Sequence, residues 1–323
     1  MKISAFMIRA MAGSLALLAT PAYAMAQSWP THTVRMITPL GPGSGMDVAA
    51  RLFAEKLSAK WGQPVVVENR QGADGILAVQ SFLTDRDNHS LIFGFAGLIS
   101  INPLIHDKLP YDPERDIVPV ASAIDSTLAL TASATLNVST LAEFVAAAKT
   151  QPGKINWAAT TGLPLYVVAT LQKAAGIDIA QISYRDFGPA FQDFATGRVH
   201  LLATGITLLL PQVAAGRGKF LMVTNSQRSP LAPDVPTPKE AGFPELSFNG
   251  TNGIYGWRDM PQSLKDRIAR DVRDIANDQA VAERLKPTGA TMRPGDGAAF
   301  AAAIEEQRVK VAAVAQAIAA KPK

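Results

Sequence analysis

The chain has 323 residues and a formal net charge of +4 at pH 7, with 31 lysine and arginine residues against 27 aspartate and glutamate residues. A net charge this small, without a dense basic block, argues against a nucleic-acid-binding protein. The chain contains no cysteine, which excludes disulfides, thiolate metal sites, a cysteine nucleophile and a lipid attached at a mature N-terminal cysteine.

Residues 1–24 predict an export signal. Lys2 and Arg9 precede a short apolar run, and the small residues Ala22 and Ala24 fit a cleavage site, while a second possible cut follows Ala26. The apolar run is too short to cross a bilayer about 30 Å thick. We therefore expect cleavage after Ala24 or Ala26 and a soluble mature protein outside the cytoplasm.

Strand and helix patterns alternate along most of the remaining chain, which predicts an α/β fold with mainly parallel sheets. The first strand pattern, at residues 34–37, leads through Pro39-Leu-Gly-Pro-Gly-Ser-Gly-Met-Asp47 into a helix pattern. We call residues 39–47 the first binding loop. Its three glycines let the backbone approach a ligand closely, and free N–H groups at a helix start attract anions. The loop therefore favours binding of a small carboxylate over catalysis.

Further elements follow in two sets. The first set continues with strands at 63–68 and 91–93, a helix at 77–82 and extended segments at 117–123 and 128–131. The second set contains helices at 141–149, 166–175, 190–196 and 208–215 and strands at 155–157, 179–184, 200–203 and 219–224. Residues 229–238 hold four prolines and predict a rigid loop, and two amphipathic helices near 264–275 and 300–318 predict packing against the sheets.

A second turn resembles the first in its position. Residues 158–164, which we call the second binding loop, follow the first strand of the second set. If the two sets form lobes joined by crossovers near residues 124 and 225, the two loops face one cleft. Ligands of open α/β sheets bind beyond the carboxyl ends of the strands, which is where both loops lie.

The glycine run does not match nucleotide-binding or hydrolase motifs. Its third glycine comes one place too early for a dinucleotide fingerprint, and Pro42 and Met46 stand where a Gly-x-Ser-x-Gly elbow needs glycine. The four histidines are scattered and lack a neighbouring carboxylate cluster. We therefore expect no enzyme activity, no metal and no cofactor. A plain tight turn remains the alternative role for the first binding loop.

One positive charge is expected near the cleft. Arg185, in Tyr184-Arg-Asp-Phe187, follows a predicted strand, and its guanidinium could hold a carboxylate through two parallel hydrogen bonds. A local ion pair with Asp186, or a simple surface position, explains the same residue equally well.

Six segments in order carry a resemblance that covers nearly the whole chain after the signal, from Trp29 to about Ala317. They are residues 35–48, 62–70, 101–103, 109–113, 233–237 and 240–242. Together they resemble the Bug-type periplasmic solute receptors of tripartite tricarboxylate transporters. The resemblance implies an α/β, two-lobed periplasmic-binding-protein (flytrap) fold with two crossover segments. Residues 27–124 and 226–323 would form lobe 1, and residues 125–225 would form lobe 2.

In that family, loops from both lobes bind a carboxylate group through backbone N–H groups, hydroxyls and ordered water. Carried over by position, the contacts would come from Gly41, Gly43, Ser44, Gly45 and Asp47 in the first binding loop, from Ala159, Thr160, Thr161 and Gly162 in the second, and from Phe95 and Ala96 beside them. Helix-terminus interactions of about 0.3–2 kcal/mol each fall short of the roughly 8 kcal/mol that micromolar binding requires. We therefore expect apolar specificity contacts from Leu40, Met46, Phe95, Leu163 and Phe187.

Three positions depart from the family pattern. Met46 replaces the usual threonine or serine, and the second binding loop is about one residue short and lacks a glycine-rich centre. Thr204 stands where many relatives carry an aspartate that suits a ligand amino group. Because threonine cannot supply that negative charge, we expect a ligand without an ammonium group, such as an aliphatic dicarboxylate or an aromatic acid.

The resemblance implies a monomeric receptor that closes on its ligand and delivers it to membrane transporter subunits, without nucleic acid as a partner. A ligand-loaded sensor subunit for a membrane signalling protein would use the same binding site. A periplasmic hydrolase that uses Ser44 or Thr161 is a further alternative, although no sequence feature supplies the base that it needs.

Overall fold

A computed structural model describes residues 29–85, 88–160, 162–184 and 187–319. The predicted export signal, Thr161 and Arg185 lie outside the described residues. The strands, in chain order, are β1 (Val34–Thr38), β2 (Val65–Asn69), β3 (Ser90–Phe95), β4 (Ile117–Ser126), β5 (Leu128–Ser133), β6 (Asn156–Ala159), β7 (Ala180–Gln181), β8 (Leu201–Gly205), β9 (Gly218–Val223), β10 (Gly250–Trp257) and β11 (Thr291–Asp296).

The α-helices alternate with these strands. They are α1 (Gly45–Trp61), α2 (Ile76–Thr84), α3 (Gly97–Ser100), α4 (Asn102–Ile105), α5 (Leu141–Thr150), α6 (Leu163–Ala175), α7 (Gly188–Thr196), α8 (Ile206–Ala214), α9 (Gln262–Ala276), α10 (Gln279–Leu285) and α11 (Gly297–Ala319). Within the described residues, no helix combines the length and the apolar content that crossing a bilayer requires.

The strands form two mixed sheets. The first has the order β11-β4-β10-β3-β1-β2, with β1 parallel to β2 and β3 and with β10 antiparallel to β3 and β4. The second has the order β7-β6-β8-β5-β9, with β6 parallel to β7 and β8 and with β5 antiparallel to β8 and β9. The prediction of mainly parallel sheets was wrong. The physical reason is that β5 and β10 each begin at the end of their sheet that faces the other sheet. They run away from that end and are therefore antiparallel to neighbours that run towards it.

Two segments connect the sheets. Thr127 alone separates β4 from β5, and residues 224–249 connect β9 to β10. Because β1, β3 and β4 share one direction, their carboxyl ends lie at the edge of the first sheet that faces this junction. Leu128 at the start of β5 pairs with Gly205 at the end of β8, so β8 and β6 also end at the junction. Both binding loops therefore start from the facing edges of the two sheets.

β10 was missed by the sequence analysis, although it is central in the first sheet. Its sequence, Gly-Thr-Asn-Gly-Ile-Tyr-Gly-Trp, is rich in residues that are rare in strands. A β-carbon on Gly253 would lie 2.2 Å from the Ala121 carbonyl oxygen and 2.7 Å from Cε1 of Phe300. The glycine is therefore required by close packing against β4 and α11. β11 and the short helices α3, α4 and α10 were also not predicted.

The predicted strand at 179–184 is much shorter in the structure. β7 contains two residues, which pair with Asn156 and Trp157 of β6 at the edge of the second sheet. An edge strand with one neighbour has fewer hydrogen bonds to hold an extended conformation, so the apolar pattern alone overestimated its length.

The C-terminal helix α11 packs against both halves of the molecule, which are the parts built around the first and the second sheet. Phe300 and Ile304 lie in one apolar cluster with Tyr255 and other residues of the first sheet. Val311 and Val314 lie in another cluster, built mainly around the second sheet. Burial of such side chains contributes about 1.5–3 kcal/mol each, so α11 is fixed to both halves.

Candidate functional site

The first binding loop ends at the start of α1, a 17-residue helix. Ser44 is the N-cap, and its Oγ accepts a hydrogen bond of 3.2 Å from the Asp47 N–H. The Ser44 N–H donates to the Gly41 carbonyl at 3.2 Å, which closes a tight turn. Gly43 adopts a φ of +81°, in the left-handed region that favours glycine. The glycines therefore form the loop as the sequence predicted.

The amide groups of this loop divide into two kinds. The Gly43 N–H donates to Oδ2 of Asp47 at 2.9 Å. The N–H groups of Gly41, Gly45 and Met46 make no hydrogen bond to another part of the chain that the structure describes. Since the first N–H groups of a helix point along its axis beyond its start, Gly45 and Met46 offer donors to an anion in front of α1.

Two polar residues that the sequence analysis missed hold the loop in place. Asn69 Nδ2 donates to the Leu40 carbonyl and to Asp47 Oδ1, both at 2.8 Å. Arg51 Nε donates to Asp47 Oδ2 at 3.1 Å. Arg51 lies four residues after Asp47 on the same helix face, a spacing that could have identified this pair from the sequence. Asn69 is placed by the pairing of β1 with β2, which local patterns do not reveal.

The carboxylate of Asp47 is buried, with 3% of the residue exposed. Burial acts to raise its pKa, but hydrogen bonds from Arg51, Asn69 and the Gly43 amide outweigh burial and lower the pKa below the usual value. Its contribution to stability is therefore complete above the ordinary aspartate pKa and is lost as the pH falls through the lowered one. Asp47 stays negatively charged near neutral pH.

The second binding loop connects β6 to α6. The Thr160 N–H donates to the Ala203 carbonyl at 3.2 Å, and the Thr160 hydroxyl donates to the Thr204 hydroxyl at 3.1 Å. Thr204 is 1% exposed. Gly162 adopts a φ of +80° directly before α6. The hydroxyls of Thr160 and Thr204 therefore bind each other, and the loop is anchored to the end of β8.

The turn at Thr288 and Gly289 lies between the start of α1 and the start of α8. A β-carbon on Gly45 would lie 3.3 Å from Thr288 Cβ, so this turn packs against the start of α1. The Gly289 carbonyl accepts a hydrogen bond of 2.7 Å from the hydroxyl of Thr127, the residue between the sheets. A β-carbon on Gly289 would lie 2.8 Å from Cγ2 of Ile206, which begins α8 directly after β8. Both loops therefore adjoin the same side of the junction.

The predicted apolar lining residues differ in exposure. Leu40 is 38% exposed, whereas Met46 is 4% and Ala96 1% exposed. The Met46 side chain packs in the core under α1, which leaves its backbone N–H at the loop. Phe95 is partly buried at the end of β3.

In the second half, Leu163 is partly buried beside the core, and Phe187 packs edge-on against Phe191 at 5.2 Å between ring centroids. The predicted contacts of Thr161 and Arg185 concern residues outside the described ranges and stay predictions. No group of three or more histidine, aspartate or glutamate side chains suited to a metal ion occurs in the ranges described.

A surface cavity of about 220 Å³ lies elsewhere, lined by Phe82, Leu83, Asp85, Asn88, Ser90, Asp116, Trp257, Arg258 and Asp259. Ser90 begins β3 and Trp257 ends β10, so this cavity opens at the edge of the first sheet opposite the loops. It contains none of the predicted binding residues.

The hydrogen bond between Thr160 and Thr204 predicts a stability difference between two matched substitutions. Thr204→Val should lower the free energy of unfolding by about 0.5–1.5 kcal/mol, because the Thr160 hydroxyl loses its acceptor. Thr131 lies in the neighbouring strand and is also buried, but its hydroxyl has no partner among the described residues. Thr131→Val should therefore be neutral or stabilising. Urea unfolding of both variants measures the difference, and equal values would contradict the role of the Thr160–Thr204 contact.

Comparisons with known proteins identify the family that the chain resembles. Residues 49–319 match the family model described as the tripartite tricarboxylate transporter family receptor. The chain is 33% identical over 306 residues to a UPF0065 protein of Bordetella bronchiseptica, and the match covers 94% of this chain and 91% of that protein. It is 28% identical over 270 residues to protein BugT of Bordetella pertussis, covering 82% of this chain and 83% of BugT.

Solved structures show the same fold. The R. palustris protein Rpa4515, solved with adipate, superposes with a TM-score of 0.77 and 26% identity over 89% of this chain and 98% of that one. MatC (Rpa3494) from Rhodopseudomonas palustris, solved with bound malate, gives a TM-score of 0.73 and 27% identity over 88% and 99%. The predicted α/β, two-lobed periplasmic-binding-protein fold is therefore confirmed.

Proposed function

Because this chain belongs to the family of tripartite tricarboxylate transporter receptors, we propose that it captures a small organic carboxylate between its two lobes and delivers it to a membrane transporter. The observation that carries the proposal is the set of N–H groups of Gly41, Gly45 and Met46 at the start of α1, which are unpaired within the described residues. Such groups, together with the helix dipole, attract negative charge without a cationic side chain. The family and the fold are those of solute-binding receptors, which act in the periplasm.

In this proposal, both binding loops contact the ligand. A carboxylate in front of α1 would gain about 0.3–2 kcal/mol from each helix-terminus interaction, whereas micromolar affinity requires about 8 kcal/mol. From the opposite sheet, the second binding loop would supply the Gly162 N–H and the groups of Thr161 that the family resemblance implies, because the N–H and hydroxyl of Thr160 are bound to Ala203 and Thr204. Exposed or partly buried apolar side chains, such as Leu40 and Leu163, supply the remaining contact area when the lobes close.

The ligand we propose lacks an ammonium group. The neutral hydroxyl of Thr204 is already bound to Thr160, so a ligand ammonium group would find no negative charge there. Two structural neighbours were solved with adipate and with malate, which carry carboxylates and no amino group. An aliphatic dicarboxylate or an aromatic acid is the class of ligand that we infer.

A thermal-shift screen of the purified mature protein tests this function. Adipate, malate and benzoate are compared with aspartate and glutamate at equal concentrations. At a ligand concentration of about 100 times Kd, binding adds about 2.7 kcal/mol of stability, which should raise Tm by about 5 °C or more. We expect such a shift with at least one acid that lacks an amino group. A shift with aspartate or glutamate alone would overturn the interpretation of Thr204, and no shift with any carboxylate would argue against the function.

The hydrolase alternative is not favoured by the geometry of Ser44. Its Oγ accepts a hydrogen bond from the Asp47 N–H as the N-cap of α1, so the hydroxyl stabilises the start of the helix. A sensor subunit would share the carboxylate site and differ only in its membrane partner.

A further inference from the structure

The buried carboxylate of Asp47 lies where the first binding loop could otherwise hold an external anion. It accepts hydrogen bonds from the Gly43 N–H at 2.9 Å, Asn69 Nδ2 at 2.8 Å and Arg51 Nε at 3.1 Å. Arg51 Nη2 lies 3.0 Å from its second oxygen. Without Asp47, these donors could bind a free sulfate or carboxylate, since they combine backbone and guanidinium N–H groups at a helix N-terminus.

The contacts of Asp47 determine which amide groups of the first binding loop remain free to bind a ligand. The Gly43 amide is occupied, while the amides of Gly41, Gly45 and Met46 have no partner among the described residues. The charge of Arg51 is also paired with Asp47, and its guanidinium donates a further hydrogen bond to the Asn69 amide oxygen. A ligand at the first binding loop therefore meets unpaired amides beside an internally neutralised ion pair.

We propose that Asp47 is a positioning residue that acts as an internal anion of the first binding loop. By occupying the Gly43 amide and Arg51, it fixes the loop shape that presents the Gly41, Gly45 and Met46 amides to the ligand. It also keeps small inorganic anions away from the Gly43 amide and from Arg51. The proposal rests on the proposed function where it concerns the ligand, and on the geometry of the free protein where it concerns the loop.

The first experiment needs no organic ligand. Asp47→Ala leaves the Gly43 amide and Arg51 without their anion, so sulfate should bind there and raise Tm of the variant by several degrees more than chloride does at equal ionic strength. The wild type, in which Asp47 occupies these donors, should show a smaller difference. The matched control is Asp278→Ala, because Asp278 also caps a helix through the Ala280 N–H and also pairs with a cation, Lys56, away from the loop. It should respond to sulfate as the wild type does.

Amide exchange reports on the loop directly. In the wild type, the Gly43 amide should exchange slowly by NMR, and in Asp47→Ala it should exchange at least tenfold faster. An unchanged exchange rate, or a sulfate response equal to that of the wild type, would overturn the proposal. Asp47→Asn, which preserves volume but removes the charge opposite Arg51, should respond in the same direction if the alanine variant does not fold. Failure of both variants to fold would also overturn it, since Asp47 would then serve stability alone.

Ligand affinity completes the test. For adipate, or for whichever acid stabilises the wild type, Asp47→Ala should bind at least tenfold more weakly, and added sulfate should weaken its binding further. Unchanged affinity in a variant with a fast-exchanging Gly43 amide would contradict the positioning role. If the wild type binds no acid at all, the proposed function fails, whereas the sulfate and exchange results still decide the role of Asp47.

Discussion

Replacing Gly43 with valine should weaken carboxylate binding at least tenfold while lowering Tm by only a few degrees. A β-carbon at this position meets no atom within 4 Å, so the valine causes no clash. The loss of stability comes from the φ of +81°, which disfavours a residue with a β-carbon by about 1–2 kcal/mol. The loop can relieve this strain by changing shape, which removes the Gly43 amide from Asp47 and displaces the neighbouring free amides. Titration calorimetry and thermal unfolding of the same preparation measure both effects.

The same helix offers a matched control at its other end. Gly62, the C-cap of α1, has a φ of +67°, and a β-carbon there also meets nothing within 4 Å. Gly62→Val should therefore cost a similar amount of stability and leave ligand affinity unchanged. If the two variants lose affinity equally, the first binding loop is only a tight turn.

Replacing Gly253 with leucine should prevent folding. A β-carbon there would lie 2.2 Å from the Ala121 carbonyl oxygen, and backbone atoms of a central strand cannot move aside. Phe300 closes the other side at 2.7 Å. Overpacking alone typically costs about 1–3 kcal/mol, and this contact with backbone adds to that cost. We expect a loss of more than about 3 kcal/mol, seen as insoluble protein or as unfolding at low urea concentration.

Gly188→Leu serves as the comparison for Gly253→Leu. Gly188 is exposed at the start of α7, and a β-carbon there meets nothing within 4 Å. This variant should stay folded with nearly unchanged stability. Similar stability of the two leucine variants would mean that β10 does not occupy the centre of the first sheet.

The regular elements of the chain were predictable because each half alternates clear apolar patterns. β10 was not, since its glycines are selected by the closeness of β4 and α11, and the contact with β4 joins residues more than a hundred positions apart. The directions of β5 and β10 were also missed. They follow from how the chain passes between the sheets, which periodicity does not encode.

The position of the two loops at the facing edges of the sheets was predictable, because glycines and hydroxyl residues follow the ends of predicted strands. The roles of individual residues were less accessible. Asp47 was predicted as a ligand contact, and the structure shows its carboxylate bound within the loop to Gly43, Arg51 and Asn69. The packing of Thr288 against Gly45 joins residues 243 positions apart and left no local signal.

The double attachment of α11 limits how this protein can move. Rotation of one half against the other about Thr127 must disturb at least one of the two apolar contacts of α11, because one helix cannot move with both halves at once. Packed side chains slide only over small steps before they must find new positions. The burial of Val311 and Val314 against the second cluster therefore resists rotation of one half of the molecule against the other.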